Sequence, residues 1–155
     1  IANDAMKLSL LITENYGMDS NYIAMNWFAK GELMIQQHRY EEAFTYFDSI
    51  QEVYDYHGLT DDILIKKAEA MQQQGKWAES IPFLEELLKY YAFDLLADDA
   101  VFMLAEIYDY HVPDKEKATQ YYRSILFDYK GSLHTNEARI RFRQLRGDKV
   151  DSKDL

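Results

Sequence analysis

The sequence predicts an all-α protein, a superhelix of stacked helix pairs, from two observations. First, the apolar residues follow the 3.6-residue period of amphipathic helices, and most glycines fall where that period breaks. Second, bulky and small residues recur at an offset of 37 residues. The first window of this repeat is Trp27, Gly31, Met34, Tyr40, Ala43, Phe47 and Ile50, and the second is Leu64, Ala68, Met71, Trp77, Ser80, Leu84 and Leu87. A repeat of this length cannot bury its apolar face alone, so neighbouring pairs complete one core.

The third window keeps this offset only in its first helix. The residues that keep it are Val101, Ala105 and Tyr108. The residues that come one position late are Ala118, Tyr122 and Ile125. We expect a longer turn at His111-Val112-Pro113 to hold the extra residue.

Eight helices and no strand are predicted from one end of the chain to the other. Their bounds are about 3–15, 20–37, 40–56, 61–74, 77–91, 95–110, 114–129 and 133–146. The residues expected to end helices in a left-handed conformation are Gly17, Gly58, Gly75, Gly131 and Gly147. The residues expected to cap helix starts are Asp19, Ser20, Thr60, Asp94, Asp114 and Ser132.

We predict one domain over residues 1–155, since a chain of this length can bury roughly two thirds of its unfolded surface. Its parts are a truncated first helix at 1–19, repeats at 20–58, 59–93 and 94–131, a capping helix at 132–147 and a tail at 148–155. The first helix is interpreted as the second half of an earlier repeat. Its apolar face, with Leu8, Leu11 and Ile12, would then favour end-to-end association.

Gly31 lies inside a predicted helix, where glycine costs about 1 kcal/mol relative to alanine. Its repeat equivalents are Ala68 and Ala105, so the position always carries a tiny side chain. We therefore expect the paired helix to approach closely there. Leucine at position 31 should be destabilising and alanine nearly neutral or stabilising.

Composition and charge disfavour several classes of function. The net charge of −10 would repel phosphate backbones and anionic lipid, so nucleic acid is not an expected partner. The chain has no cysteine, and its four histidines have no spacing that pairs them on one helix face, so neither a metal nor another cofactor is predicted. No apolar run approaches the ~20 residues of a membrane span. No nucleophile elbow or phosphate-binding glycine loop is present, so we expect no enzyme activity.

Several segments resemble the tetratricopeptide repeat, in which large, small, aromatic and small residues recur in that order. In the first window these are Trp27-Phe-Ala-Lys-Gly31, Met34, Arg39-Tyr40-Glu-Glu-Ala43, Phe47 and Ile50. The later segments are Gln74 to Ser80, Lys117-Ala118, Tyr121-Tyr122, Ser124 to Leu126, Tyr129 to Ser132 and Glu137-Ala138. The last of these are similar to a variant common in bacterial cell-envelope assembly proteins. The resemblance implies a non-catalytic protein-binding scaffold and favours the bacterial periplasm as its compartment. The 37-residue period departs from the usual 34.

One stripe along the first helix of each repeat combines acids with apolar residues, and in tetratricopeptide proteins it looks into the concave groove. The candidate groove residues are Phe28, Glu32, Ile35, Ile65, Glu69, Gln72, Phe102, Glu106 and Asp109. One interpretation is a groove for a peptide or helix with a basic or apolar-basic segment. The other is a solvated acidic face, with Phe28, Ile65 and Phe102 wedged between neighbouring helices.

The last helix is strongly basic. Its candidate contact patch is Arg139, Arg141, Arg143 and Arg146. It is interpreted as a polar cap that keeps the end of the solenoid soluble, or as a contact patch for an acidic partner, a second copy of the chain included. The leading prediction is a protein-interaction scaffold with a peptide-binding groove. The alternative is a structural C-terminal segment of a longer array with a self-filled groove.

Overall fold

The computed structural model describes residues 22–54 and 58–148, and the protein is all-helical there, with no strand in those ranges. We number the seven α-helices of this part in chain order. They are α1 (Tyr22–Gln36), α2 (Tyr40–Val53), α3 (Thr60–Gln73), α4 (Trp77–Tyr91), α5 (Ala97–Glu106), α6 (Lys115–Phe127) and α7 (Thr135–Arg146). A π-helical turn, Ile107–His111, continues α5. The predicted helix at 3–15 and nearly all of the predicted tail lie outside the described residues.

The chain divides into two compact units, Ile1–Lys66 and Lys67–Leu155, and the division falls inside α3. In the first unit, α1 and α2 form a helix hairpin around aromatic contacts. The ring centroids of Phe28 and Phe47 lie 5.6 Å apart, and those of Trp27 and Tyr54 lie 6.3 Å apart. The start of α1 therefore lies beside the end of α2, as two antiparallel helices require.

Gly31 has the packing role predicted for it, and the contact is tighter than we expected. A Cβ atom at this position would clash with Cε1 of Phe47 and would lie 2.8 Å from Cζ of the same ring, which is fully buried. A methyl group therefore does not fit without movement of that ring. This geometry argues against the expectation that alanine is nearly neutral or stabilising at position 31.

The first two repeats turn from helix to helix in the same way. After α1, the amide of Arg39 donates to the carbonyl of Met34, and His38 has a left-handed φ of 58°. The equivalent bond after α3 runs from Lys76 to Met71, with Gly75 at φ 73°. Both patterns are the helix C-terminal motif in which a left-handed residue lets the chain satisfy the last carbonyls.

The second unit packs α4, α5, the π turn, α6 and α7 around a shared core. Most of its repeat-equivalent positions are buried, Met71 and Trp77 being half-buried, and the one-residue delay in the third window is real. The fully buried residues at these positions are Ser80, Leu84, Leu87, Ala105, Ala118 and Ile125, with Tyr122 at 1% exposure. The register deduced from the sequence therefore identifies the inward face of these helices.

The extra residue of the third repeat lies mainly in the π turn and not in the loop that follows it. The amide of Val112 donates to the carbonyl of Ile107, five residues back, at 2.8 Å. A π turn is a one-residue insertion in a helix. The prediction of a longer turn beginning at His111 is therefore corrected, because His111 is the last residue of the π turn.

The predicted helix-end signals act as expected at some helix ends and not at others. Asp114 caps α6, since its carboxylate accepts from the amide of Lys117 at 3.0 Å. Gly75 and Gly147 are left-handed, but Gly131 is not. The residues before α5 and α7 are Leu96 and His134, so Asp94 and Ser132 do not occupy the capping positions. Gly17, Asp19 and Ser20 lie outside the described residues.

Candidate functional site

The apolar members of the predicted groove belong to the core. Phe28 is 1% exposed, and Ile35, Ile65 and Phe102 are each 6% exposed. Their large side chains are therefore withdrawn from any partner. In this structure they cannot form the apolar floor of a groove.

Among the acidic members, Glu32 has an ion-pair partner in its own unit. Oε1 of Glu32 lies 3.5 Å from Nζ of Lys66, and both side chains are about a quarter to a third exposed. Glu69, Gln72 and Glu106 are half-buried. The stripe is thus neither fully solvated nor open, and its charge in the first unit is partly neutralised.

Asp109, a predicted groove residue, and Arg141, a predicted basic-patch residue, bind each other. Nη2 and Nε of Arg141 lie 2.6 and 2.9 Å from Oδ2 of Asp109. The hydroxyl of Tyr122 donates to the same oxygen at 3.2 Å, and the Asp109 side chain is 6% exposed. Burial, followed by the nearby charge of Asp109, raises the pKa of Tyr122, so this phenol stays protonated as a donor.

The π turn brings Asp109 to this position. It carries Asp109 toward α6 and α7, and the guanidinium of Arg141 also lies over the ring of Tyr110, 4.9 Å from its centroid. At its end, His111 stacks on Trp77 of α4 with ring centroids 3.5 Å apart. The five residues of the π turn therefore contact α4, α6 and α7.

A second set of contacts ties α5 to the start of α7. Nε2 of His134 lies 2.6 Å from Oδ1 of Asp99, and the His134 ring stacks on Phe102 with centroids 4.2 Å apart. Burial, then the charge of Glu137, raises the pKa of Glu106, while the charge of His134 opposes this shift. The stripe of α5 is thus covered at Phe102 by His134, the residue that precedes α7.

The remaining arginines of α7 do not form a uniform basic patch. Arg139 contacts Asn136 at 3.4 Å, and Arg146 lies 3.7 Å from Asp148. Arg141 forms an ion pair with Asp109. The basic patch predicted from the sequence is therefore weaker than its count of arginines indicates.

Sequence reasoning missed four highly exposed apolar residues of the second unit. They lie at the end of α6 and in the loops between α4 and α5 and between α6 and α7. We call them the two-loop patch: Phe93, Leu95, Phe127 and Leu133, which are 102%, 81%, 58% and 96% exposed. Most of these residues lie in loops, so the apolar period of the helices does not predict them. The sequence signal that could have identified them is the presence of large apolar residues in loops, which are usually polar.

Two contacts hold these loops beside each other. The hydroxyl of Tyr129 donates to the carbonyl of Ala92 at 3.1 Å, and His134 binds Asp99 as described above. Phe93 follows Ala92 directly, and Leu133 precedes His134. The two loops, which carry Phe93, Leu95 and Leu133, are therefore held beside each other.

The described residues also bear on metal binding, on pockets and on membrane insertion. Within residues 22–54 and 58–148, no group of three acids or histidines is arranged to hold a metal ion. A shallow depression is lined by Lys115, Glu116, Thr119 and Gln120, all from α6 alone. No helix of the described part has the length and apolar character needed to cross a membrane.

No model of a protein family matches the chain, and no curated protein matches it significantly.

Proposed function

We propose that this chain is a non-catalytic, tetratricopeptide-like module that binds another protein through the two-loop patch. The observation that carries the proposal is the near-complete exposure of Phe93, Leu95 and Leu133 on loops held together by hydrogen bonds. Single exposed leucines are common on monomeric proteins, but a group of exposed large apolar side chains marks an interaction site. The repeat pattern supports the same class of function, because helix-pair solenoids present surface to partners.

The predicted groove is a weaker candidate for the binding surface in the second unit. Its α5 stripe is already occupied, since Arg141 binds Asp109 and His134 stacks on Phe102. A partner at this stripe would have to replace buried, charge-assisted hydrogen bonds, which are worth more than neutral ones. The two-loop patch requires no such exchange.

The test is affinity capture with the full-length protein from cells that express it, comparing wild type with Phe93→Ser/Leu133→Ser. Exposed positions tolerate such changes, so the variant should keep its melting temperature. We expect one or more partners to be lost. Val53→Ser, at a residue 59% exposed on α2, is the matched control and should retain them. Capture that is the same with all three proteins would refute the proposal.

A second candidate function is supported by the occupied stripe itself. If α7 fills the groove permanently, this segment serves as a structural end of a longer array and needs no partner there. This candidate predicts that neither the patch variant nor its control changes capture. The experiment above therefore separates the two functions.

A further inference from the structure

We propose that the partner of the two-loop patch is a segment combining apolar and basic side chains. This inference rests on the proposed function and specifies the chemistry of its ligand. An occupant of the patch must bring apolar surface, because Phe93, Leu95 and Leu133 are nearly fully exposed. The charge around these residues then selects among apolar occupants.

The two loops and the first turn of α5 are together acidic. Residues 92–99 contain Asp94 in the loop and Asp98 and Asp99 in the first turn of α5, without a lysine or arginine, and residues 128–134 contain Asp128 and Lys130. Four negative charges against one positive give these two segments a net charge of −3 with His134 neutral. Lys89 and Arg123 lie on the adjoining helices, where they cover the rings of Tyr90 and Phe127.

Of these four acids, Asp94 and Asp98 are available to a ligand and the other two already have partners. Asp99 is bound by His134, and Asp128 accepts a hydrogen bond from the hydroxyl of Ser124 at 2.6 Å. Within residues 22–54 and 58–148, neither Asp94 nor Asp98 forms an ion pair. Asp94 is exposed and lies between Phe93 and Leu95 in the sequence, so a ligand that contacts these two residues has an acid close by.

The same charges disfavour two other occupants of an apolar surface, an anionic lipid membrane and a second copy of the chain. An anionic lipid surface would be repelled by the loops and by the net charge of −10. A second copy docking patch to patch about a two-fold axis would bring two identical acidic loops together. An apolar-basic segment complements both properties, and such complementarity acts mainly on the association rate.

The binding test uses two synthetic amphipathic peptides of equal length, one of leucine and lysine and the other of leucine and glutamate. We expect the full chain to bind the lysine peptide and not the glutamate peptide. Phe93→Ser/Leu133→Ser should weaken the lysine-peptide affinity by about tenfold, as for loss of an apolar contact at an interface centre. Val53→Ser should leave it unchanged.

A charge-matched pair of variants tests the role of the acids. Asp94→Asn/Asp98→Asn should slow association with the lysine peptide by about threefold or more at low salt and reduce its salt dependence. Glu41→Gln/Glu52→Gln removes the same charge from exposed sites on α2 and should have a smaller effect. Equal effects of the two pairs would mean that only net charge acts, which would overturn the inference.

Other outcomes separate failure of the inference from failure of the proposed function. Patch-dependent binding of the glutamate peptide would overturn the inference but keep the patch as a protein-binding site. So would patch-dependent self-association in sedimentation. Patch-dependent binding to phosphatidylcholine or phosphatidylglycerol vesicles, without peptide binding, would overturn both. Absence of patch-dependent binding to every probe would overturn the inference, and unchanged cellular capture would then refute the function as well.

Discussion

The end of α1 and the end of α5 occupy equivalent places in the repeat but close their helices differently. After α1 the chain turns through one left-handed residue, His38, and the nearby ion pair of Arg39 with Glu42 is exposed. After α5 it turns through the π segment, and the ion pair of Asp109 with Arg141 is shielded from water. One repeat pattern therefore supports an apolar hairpin in the first unit and a polar junction in the second.

The difference shows how a single inserted residue changes what a helix end can do. In an α-helix each residue turns the chain by about 100°, so one more residue redirects every side chain that follows. The π turn absorbs this residue and leaves Asp109 facing Tyr122 and Arg141. The following helix, α6, still presents Ala118 and Ile125 to the core.

The largest expected effect comes from breaking the polar junction. Asp109→Ala should lower the free energy of unfolding by about 2–3 kcal/mol, because the Arg141 guanidinium and the Tyr122 hydroxyl both lose their acceptor. Chemical denaturation measures the change. The control is Glu42→Gln in the exposed pair at the α1 turn, which should give no measurable change. A similar response of the two variants would mean that the two turns do not differ energetically.

The next effect concerns the close approach inside the first hairpin. Gly31→Ala should destabilise by about 1–2 kcal/mol, because displacing the buried Phe47 ring outweighs the gain of about 1 kcal/mol in helix propensity. Gly131→Ala is the matched control, since a Cβ there meets nothing within 4 Å. Adding Phe47→Leu to Gly31→Ala should recover part of the loss in a double-mutant cycle. A stabilised Gly31→Ala protein would contradict the packing described.

A smaller effect tests the left-handed turns. Gly75→Ala should cost about 1 kcal/mol, since its φ of 73° disfavours a side chain although the space around it is open. His38→Gly at the equivalent place should be neutral or slightly stabilising. Thermal melting of both variants measures this. If Gly75→Ala has the same melting temperature as wild type, a left-handed residue is not required at this turn.

The smallest effect concerns pH at the junction of α5 and α7. Because burial and then Glu137 raise the pKa of Glu106 above 4.5, the folded state binds this proton more tightly than the unfolded state. The contribution of Glu106 to stability therefore falls as pH rises from 4.5 through the raised pKa. Glu106→Gln should melt above wild type at neutral pH, and the gap should narrow toward about pH 4. Glu52→Gln on α2 is the control; a gap independent of pH would contradict the assignment.

The helices could be predicted closely because their signals are local. The apolar period and the left-handed Gly75 and Gly147 mark faces and ends within a few residues. The tight contact of Gly31 followed from small residues at its repeat equivalents. The superhelical arrangement of the pairs and the tetratricopeptide assignment stay predictions.

The candidate site could be predicted only in part because its contacts join distant positions. Asp109 and Arg141 are 32 residues apart, and no period relates them, so both were assigned to surfaces that would meet a partner. The two-loop patch depends on Tyr129 reaching Ala92, 37 residues away. Exposure in a loop is set by such tertiary contacts and not by the sequence nearby.

The stacking of Trp77 on His111 has a practical consequence. The chain contains two tryptophans, and each compact unit holds one of them, Trp27 in the first and Trp77 in the second. Variants with a single tryptophan, Trp27→Phe or Trp77→Phe, would give each unit its own fluorescence signal. Trp77, with its ring 3.5 Å from that of His111, would report the separation of α4 from the π turn, while Trp27 beside Tyr54 would report the first hairpin.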